Sequence, residues 1–171
     1  MWESRCPTRW KTAGRVPFRY NDVGLIAAPR CFAGMNRNEL RRLARIRVKE
    51  ARVLLEAKCF DGAYYLCGYA VECGLKACIA KQTRRYDFPD KKTVNDSYSH
   101  NLTALVGVAG LTSSLTQEMQ QDSAFAVNWT TLKDWSEERR YRLNAQKEAR
   151  DLYRAVTARK HGVMRWIRQQ W

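Results

Sequence analysis

Tyr65, Tyr69, Glu72 and Lys76 follow one another at steps of four, three and four residues inside the run FDGAYYLCGYAVECGLKACIAK, Phe60 to Lys81. At the helical advance of about 100° per residue they line up in one narrow strip. A carboxylate one turn ahead of an ammonium is the favoured polarity for an ion pair. On a solvated helix that pair contributes only about 0.3–0.5 kcal/mol. Here every other residue from Ala63 to Ala80 is apolar, small or tyrosine. Glu72 and Lys76 are therefore the only charges such a helix carries there, and a specific structural or functional role is expected of them. The opposite stripe, Ala63, Cys67, Ala70, Gly74, Ala77 and Cys78, is small enough for a second helix to approach closely.

Other chemistry-bearing residues are few. The two histidines, His100 and His161, adjoin no nucleophile motif, so a catalytic cysteine is not expected. Cys6, Cys31, Cys59, Cys67, Cys73 and Cys78 lack CxxC spacing, and four of the six sit in or beside one apolar helix. They read as free core thiols in a reducing cytosol, with no metal site and no cofactor called for. A formal net charge of +14 over 171 residues gathers polyanions through counterion release, which points to nucleic acid or an acidic protein, although a basic surface also serves solubility alone. No apolar run approaches the roughly 20 residues of a membrane span.

The elements that must position these residues are helical. Residues 1–34 carry Pro7, Pro17 and Pro29, several arginines and no sustained period. Two readings stand for them: a loose basic tail, or an extension upstream of a true start at Met35. Residues 35–171 form the domain. Asn36, with Glu39 three residues on, predicts a capped helix running to about Lys58 along the stripe Leu40, Leu43, Ala44, Val48, Ala51, Leu54 and Leu55. Its other side bears Arg41, Arg42, Arg45, Lys49 and Arg52, a solvated face or a phosphate rail. Arg47 falls inside the apolar stripe and needs a carboxylate or a route to water, with Glu72 a candidate partner.

Asp61 and Gly62 mark the turn into the second helix. Thr83 to Tyr98 reads as a long connection, its Arg84, Arg85, Lys91 and Lys92 interleaved with Tyr86, Phe88 and Tyr98. Such a loop suits single-stranded nucleic acid or is pinned to its own core by its aromatics. Ser99 or Asn101 opens a short helix ended near Gly110, and Ser113 or Ser114 opens a fourth to about Leu132. From Asn144 the stripe Ala145, Ala149, Leu152, Tyr153, Val156, Val163 and Ile167 predicts one long final helix. With no strand pattern and no glycine-rich nucleotide loop, the fold class is all-α, an antiparallel bundle of four to five helices.

Three elements in this order, GAYYLCGYAVECGLKACIAK (62–81), SHNLTAL (99–105) and ERRYR (138–142), make residues 35–171 resemble HEPN domains, the higher eukaryote and prokaryote nucleotide-binding domains. The resemblance implies a helical bundle, a homodimer, and association with RNA, a nucleotide or a minimal nucleotidyltransferase partner. Active members of that family share an acidic-x3-basic motif and an Arg-x4-6-His motif brought together at the dimer cleft. Glu72 and Lys76 match the first, and Arg140 with Tyr141 stands at the second. Ala145, Gln146 and Lys147 occupy the positions where the second motif places histidine.

The resemblance therefore implies a binding and dimerisation module built on Tyr65, Tyr69, Glu72, Lys76, His100, Arg140 and Tyr141, without catalysis of its own. The alternative is a metal-independent endoribonuclease of toxin or defence type, in which a histidine takes the 2′-hydroxyl proton and an arginine steadies the phosphorane. Its candidates are Arg140, Arg154 and His161, the last two having the literal spacing but lying late in the final helix, opposite its apolar stripe. His100, which matches the family's His-x-Leu element, reads as a cap or loop anchor.

Overall fold

Asn36 opens the first helix, α1 (Arg37–Glu56), with the expected capping box. Its side chain accepts the Glu39 N–H at 3.0 Å and the Glu39 carboxylate accepts the Asn36 N–H at 3.0 Å. The computed structural model describes residues 35–83 and 90–171. The segment 1–34 with Cys6 and Cys31, and the loop residues Arg84, Arg85, Tyr86 and Phe88, lie outside the described residues. Along α1, Leu40, Ala44 and Ala51 are buried, while Leu43, Val48, Leu54 and Leu55 are partly so. The helix ends in a Schellman motif, the Cys59 N–H reaching the Leu54 carbonyl at 2.8 Å and the Lys58 N–H the Leu55 carbonyl at 3.2 Å. Lys58 takes the left-handed conformation this closure requires, at φ 62°.

The turn thus spans residues 57–59, and Asp61 and Gly62, expected to form it, lie in the first turn of α2 (Phe60–Gln82). α2 is the centre of the molecule and touches α1 and four later elements. Burial on nearly every side explains its composition, since only small or apolar side chains fit between so many neighbours. The predicted small stripe does admit a helix: a Cβ on Gly74 would stand 3.0 Å from Ile167 Cγ2 near the chain's end.

In place of the four to five helices expected, the described residues form eight, the additional ones all beyond α2. The supposed loop before Tyr98 contains α3 (Lys91–Ser97), started by Asp90, whose side chain accepts the Thr93 N–H at 2.9 Å. Asn101, one of the two expected openers, caps α4 (Leu102–Val108), and Gly110 at φ 63° closes it. The fourth expected helix is two: α5 (Thr112–Gln121) and α6 (Ser123–Lys133). Asp122 breaks the run because its side chain accepts the Phe125 N–H at 3.0 Å, capping α6. A 3-10 turn (Glu137–Tyr141) follows.

The expected single final helix is likewise two, α7 (Gln146–Thr157) and α8 (Val163–Gln170), with residues 158–162 as a turn between them. Their inward residues join α2 and the aromatic group Phe125, Trp129 and Trp166 in one core, the Trp166 ring 5.8 Å from Phe125 and 6.4 Å from Trp129. The fold is an all-α helical bundle, and no helix among the described residues is long and apolar enough to cross a membrane.

Candidate functional site

Glu72 is the one buried carboxylate among the described residues, at 2% exposure. A charge so placed is tolerated only with close partners, and Glu72 has two. Lys76 Nζ donates to its Oε1 at 2.8 Å from one turn ahead, and His100 Nδ1 lies 3.1 and 3.0 Å from Oε1 and Oε2. The α2 period supplies the lysine, while the histidine comes from the residue just before the α4 cap, Asn101. With Nδ1 held by the carboxylate, the His100 ring orientation is set and Nε2 remains for another partner. His100 is 45% exposed and Lys76 21%.

The two partners face different recesses. His100 lines a groove of about 450 Å³ with Ser99, Asn101, Thr103, Lys133, Asp134, Trp135, Ser136 and Glu137. Lys76 lines a second, more apolar recess with Leu40, Ile79, Val94 and Tyr98. Trp135 seats in the first wall because residue 68 is glycine: a Cβ there would run into the indole ring.

Tyr65 and Tyr69 continue the strip away from Glu72. Their rings are 6.1 Å apart and nearly parallel, and Tyr65 also lies 5.9 Å from Trp135. Arg140, on the 3-10 turn, rests 4.9 Å from the Tyr141 ring centre. Tyr141, and to a lesser degree Tyr65, holds its pKa above the ordinary arginine value. Read along α2, Arg140 stands at Tyr65, Trp135 at Gly68, His100 at Glu72, then Lys76, a row of about 16 Å from Tyr65 to Lys76. Burial lifts the Tyr69 phenol to about 12, which keeps it a neutral donor.

Arg47 does not reach Glu72 as expected. It is 2.5 Å from Glu50, which raises its pKa, and lies over the Tyr69 ring at 5.7 Å. A carboxylate three residues away on its own helix is reached with less ordering than one on a neighbour. The thiols are corrected in part: Cys67, Cys73 and Cys78 are buried, but Cys59 is exposed.

Arg154 and His161 are not on one helix. Arg154 is exposed on α7 with Asp151 3.9 Å away. His161 lies in the turn after it, its Nδ1 2.6 Å from Asp122 Oδ2 and its carbonyl accepting from Asn128 Nδ2 at 2.7 Å. The ring therefore ties the α7–α8 turn to the α5–α6 junction. Asp122 responds with a pKa below the ordinary carboxylate value, first through the His161 hydrogen bond and then through the Phe125 N–H.

Sequence reasoning missed the groove-lining residues around Trp135, and no local signal could have found them, because they meet His100 only through the fold. The Asp122 junction was signalled, since an aspartate three residues before Phe125 in a run of helix formers is an N-cap pattern. No family model, no curated protein and no solved structure matches the chain.

Proposed function

We propose that the chain is a HEPN-like binding and dimerisation module that engages RNA or a nucleotide, alone or with a nucleotidyltransferase partner, and does not itself cleave RNA. The observation that carries this reading is the state of Glu72: buried, and engaged on both oxygens by Lys76 and His100. The acidic-x3-basic motif is thereby spent on holding an imidazole at the rim of a groove. Ser99, Asn101 and Ser136 offer that groove hydroxyl and amide partners for a ribose or a base edge, beside the Trp135 wall. Arg140, over the Tyr141 ring, supplies a cation for a phosphate. No histidine follows Arg140 at the family's spacing, so a pair of base and phosphorane-stabilising arginine is not completed there.

The dimer part of the reading rests on Tyr141 and on Leu143, which is 93% exposed beside the Arg140 turn. A second copy would cover such side chains. Leu143→Asp is expected to shift the species seen by sedimentation to a smaller mass. The endoribonuclease alternative is favoured by one observation, the carboxylate that orients His161.

One experiment separates the two. Purified protein is incubated with labelled structured and single-stranded RNA in EDTA and run for both shift and cleavage. A shift weakened by Arg140→Gln, without cleavage, is expected. Cleavage abolished by His161→Ala would make the chain a metal-independent ribonuclease and overturn the proposal.

A further inference from the structure

The basic residues of α1 fall into groups by whether a carboxylate stands beside them. In the C-terminal half each guanidinium has a carboxylate, Arg47 with Glu50 at 2.5 Å and Arg52 with Glu56 at 2.9 Å. Glu39, the helix's other acid, is engaged in the cap. Arg37, Arg41, Arg45 and Lys49 instead recur every fourth residue from the start of the helix, with Arg42 about 100° off that strip. None of these four has a salt bridge among the described residues. A step of four residues keeps them on one slowly turning strip with about 6 Å of rise between neighbours, about 18 Å in all.

A bare charge strip is ordinarily just a solvated face, and two features set this one apart. Arg41 and Arg45 are held in place, their guanidinium carbons 5.3 and 5.2 Å from the ring centre of Trp171, which is only 7% exposed. A guanidinium stacked on an indole loses less freedom when its N–H edge meets a further acceptor. In addition, Nε of Arg37 and Nε of Arg41 are buried with no hydrogen-bond partner among the described residues, which leaves the Nη groups of each guanidinium as the donors for an anion such as a phosphodiester.

We propose that Arg37, Arg41, Arg45 and Lys49 form a phosphate rail along which the backbone of an RNA strand lies, without regard to base sequence. The proposal rests on the reading of the chain as an RNA-engaging module and adds a path for further phosphates on α1, away from the groove where Asp134 and Glu137 stand near His100. Over 18 Å one strand of a duplex presents about five phosphates, enough for each of the four cations to find one.

The test is the salt dependence of binding of a fluorescein-labelled single-stranded RNA to the full chain, read by anisotropy. Arg37→Gln/Arg41→Gln/Arg45→Gln is expected to lower the slope of log K against log salt by about 2, at roughly 0.7 per single-strand phosphate contact. Arg52→Gln/Lys92→Gln/Arg165→Gln removes equal charge from residues already paired with carboxylates and is expected to leave the slope unchanged. Arg37→Gln/Lys49→Gln leaves the Trp171 stacking intact and keeps the test open if the triple variant melts, with an expected loss of about 1.4 in slope.

Equal slope losses in the rail and control variants would mean that net charge alone binds, and would overturn the rail. So would an unchanged slope in the rail variants, absence of RNA binding, or competition by polyglutamate of matched charge as strong as by RNA. Lys76→Gln/Arg140→Gln distinguishes the two readings: weakening by that pair alone defeats the rail and spares the groove, and weakening by the rail variants alone does the reverse.

Discussion

Glu72 shows how a residue can be prominent for two reasons that make different predictions. Lys76→Ala strands a carboxylate of 2% exposure on one imidazole, a cost of about 2–3 kcal/mol, under the 3–5 of a fully buried pair because the lost ammonium was itself partly hydrated. Glu72→Gln removes the charge and keeps a polar atom for its neighbours, and is expected to cost about 1–2 kcal/mol. The double variant should then be more stable than Lys76→Ala alone, a non-additivity read directly from urea midpoints. The cysteines sort by the same physics. Burial lifts Cys73 and Cys78 to about 11 and Cys67 further still, so their thiolates are scarce near neutral pH. Iodoacetamide is expected to modify Cys59 in the native protein and these three only after unfolding, as mapped by peptide mass. The Glu72–Lys76 pair was legible because its geometry is local, one helical turn on a helix with no other charge. That His100 completes it is a contact across 28 residues of sequence, which spacing alone does not encode.

At the scale of elements, helix starts were legible where a side chain caps them, because a cap is a short-range pattern, whereas α5 begins after Leu111 with no side-chain cap and holds the expected openers Ser113 and Ser114 inside its first turn. Asn36 with Glu39 caps α1 as read, and of the two expected openers Ser99 and Asn101 it is Asn101 that caps α4. Interruptions were less so. Val156 and Val163 are seven residues apart, two helical turns, so the apolar stripe passes over the 158–162 break as though the helix continued. Asp122 likewise interrupts α5 and α6 without disturbing the burial of Leu115, Phe125 and Trp129. Helix ends offer a contrast within the chain. α1 and α4 close with the same Schellman geometry, but α4 has Gly110 at the left-handed position and α1 has Lys58. A side chain at φ 62° carries a steric cost that glycine lacks. Lys58→Gly is accordingly expected to stabilise the protein by about 1 kcal/mol, raising the denaturant midpoint without changing the slope of the transition.

For the molecule as a whole, the two interruptions matter because they meet. Asp122 between α5 and α6 holds His161 between α7 and α8 at 2.6 Å, and Asn128 holds the same turn through its carbonyl at 2.7 Å. The second half of the chain is thereby closed on itself while α2 anchors it from within. Asp122 also caps α6, so an alanine there would confound two effects; Asn caps as well as Asp and isolates the histidine contact. The sign follows from linkage. A carboxylate with a depressed pKa in the folded state stabilises the fold above its unfolded value and loses that contribution as pH falls through the folded one. Asp122 is held below the ordinary 3.8, chiefly by His161. Wild type should therefore be more stable than Asp122→Asn at mildly acidic pH, with the gap narrowing as pH drops below about 3.8. Thermal midpoints of the two proteins across the acid limb check this, and a gap that stayed constant to the lowest pH would mean that the joint acts through shape alone and the ionised carboxylate contributes nothing.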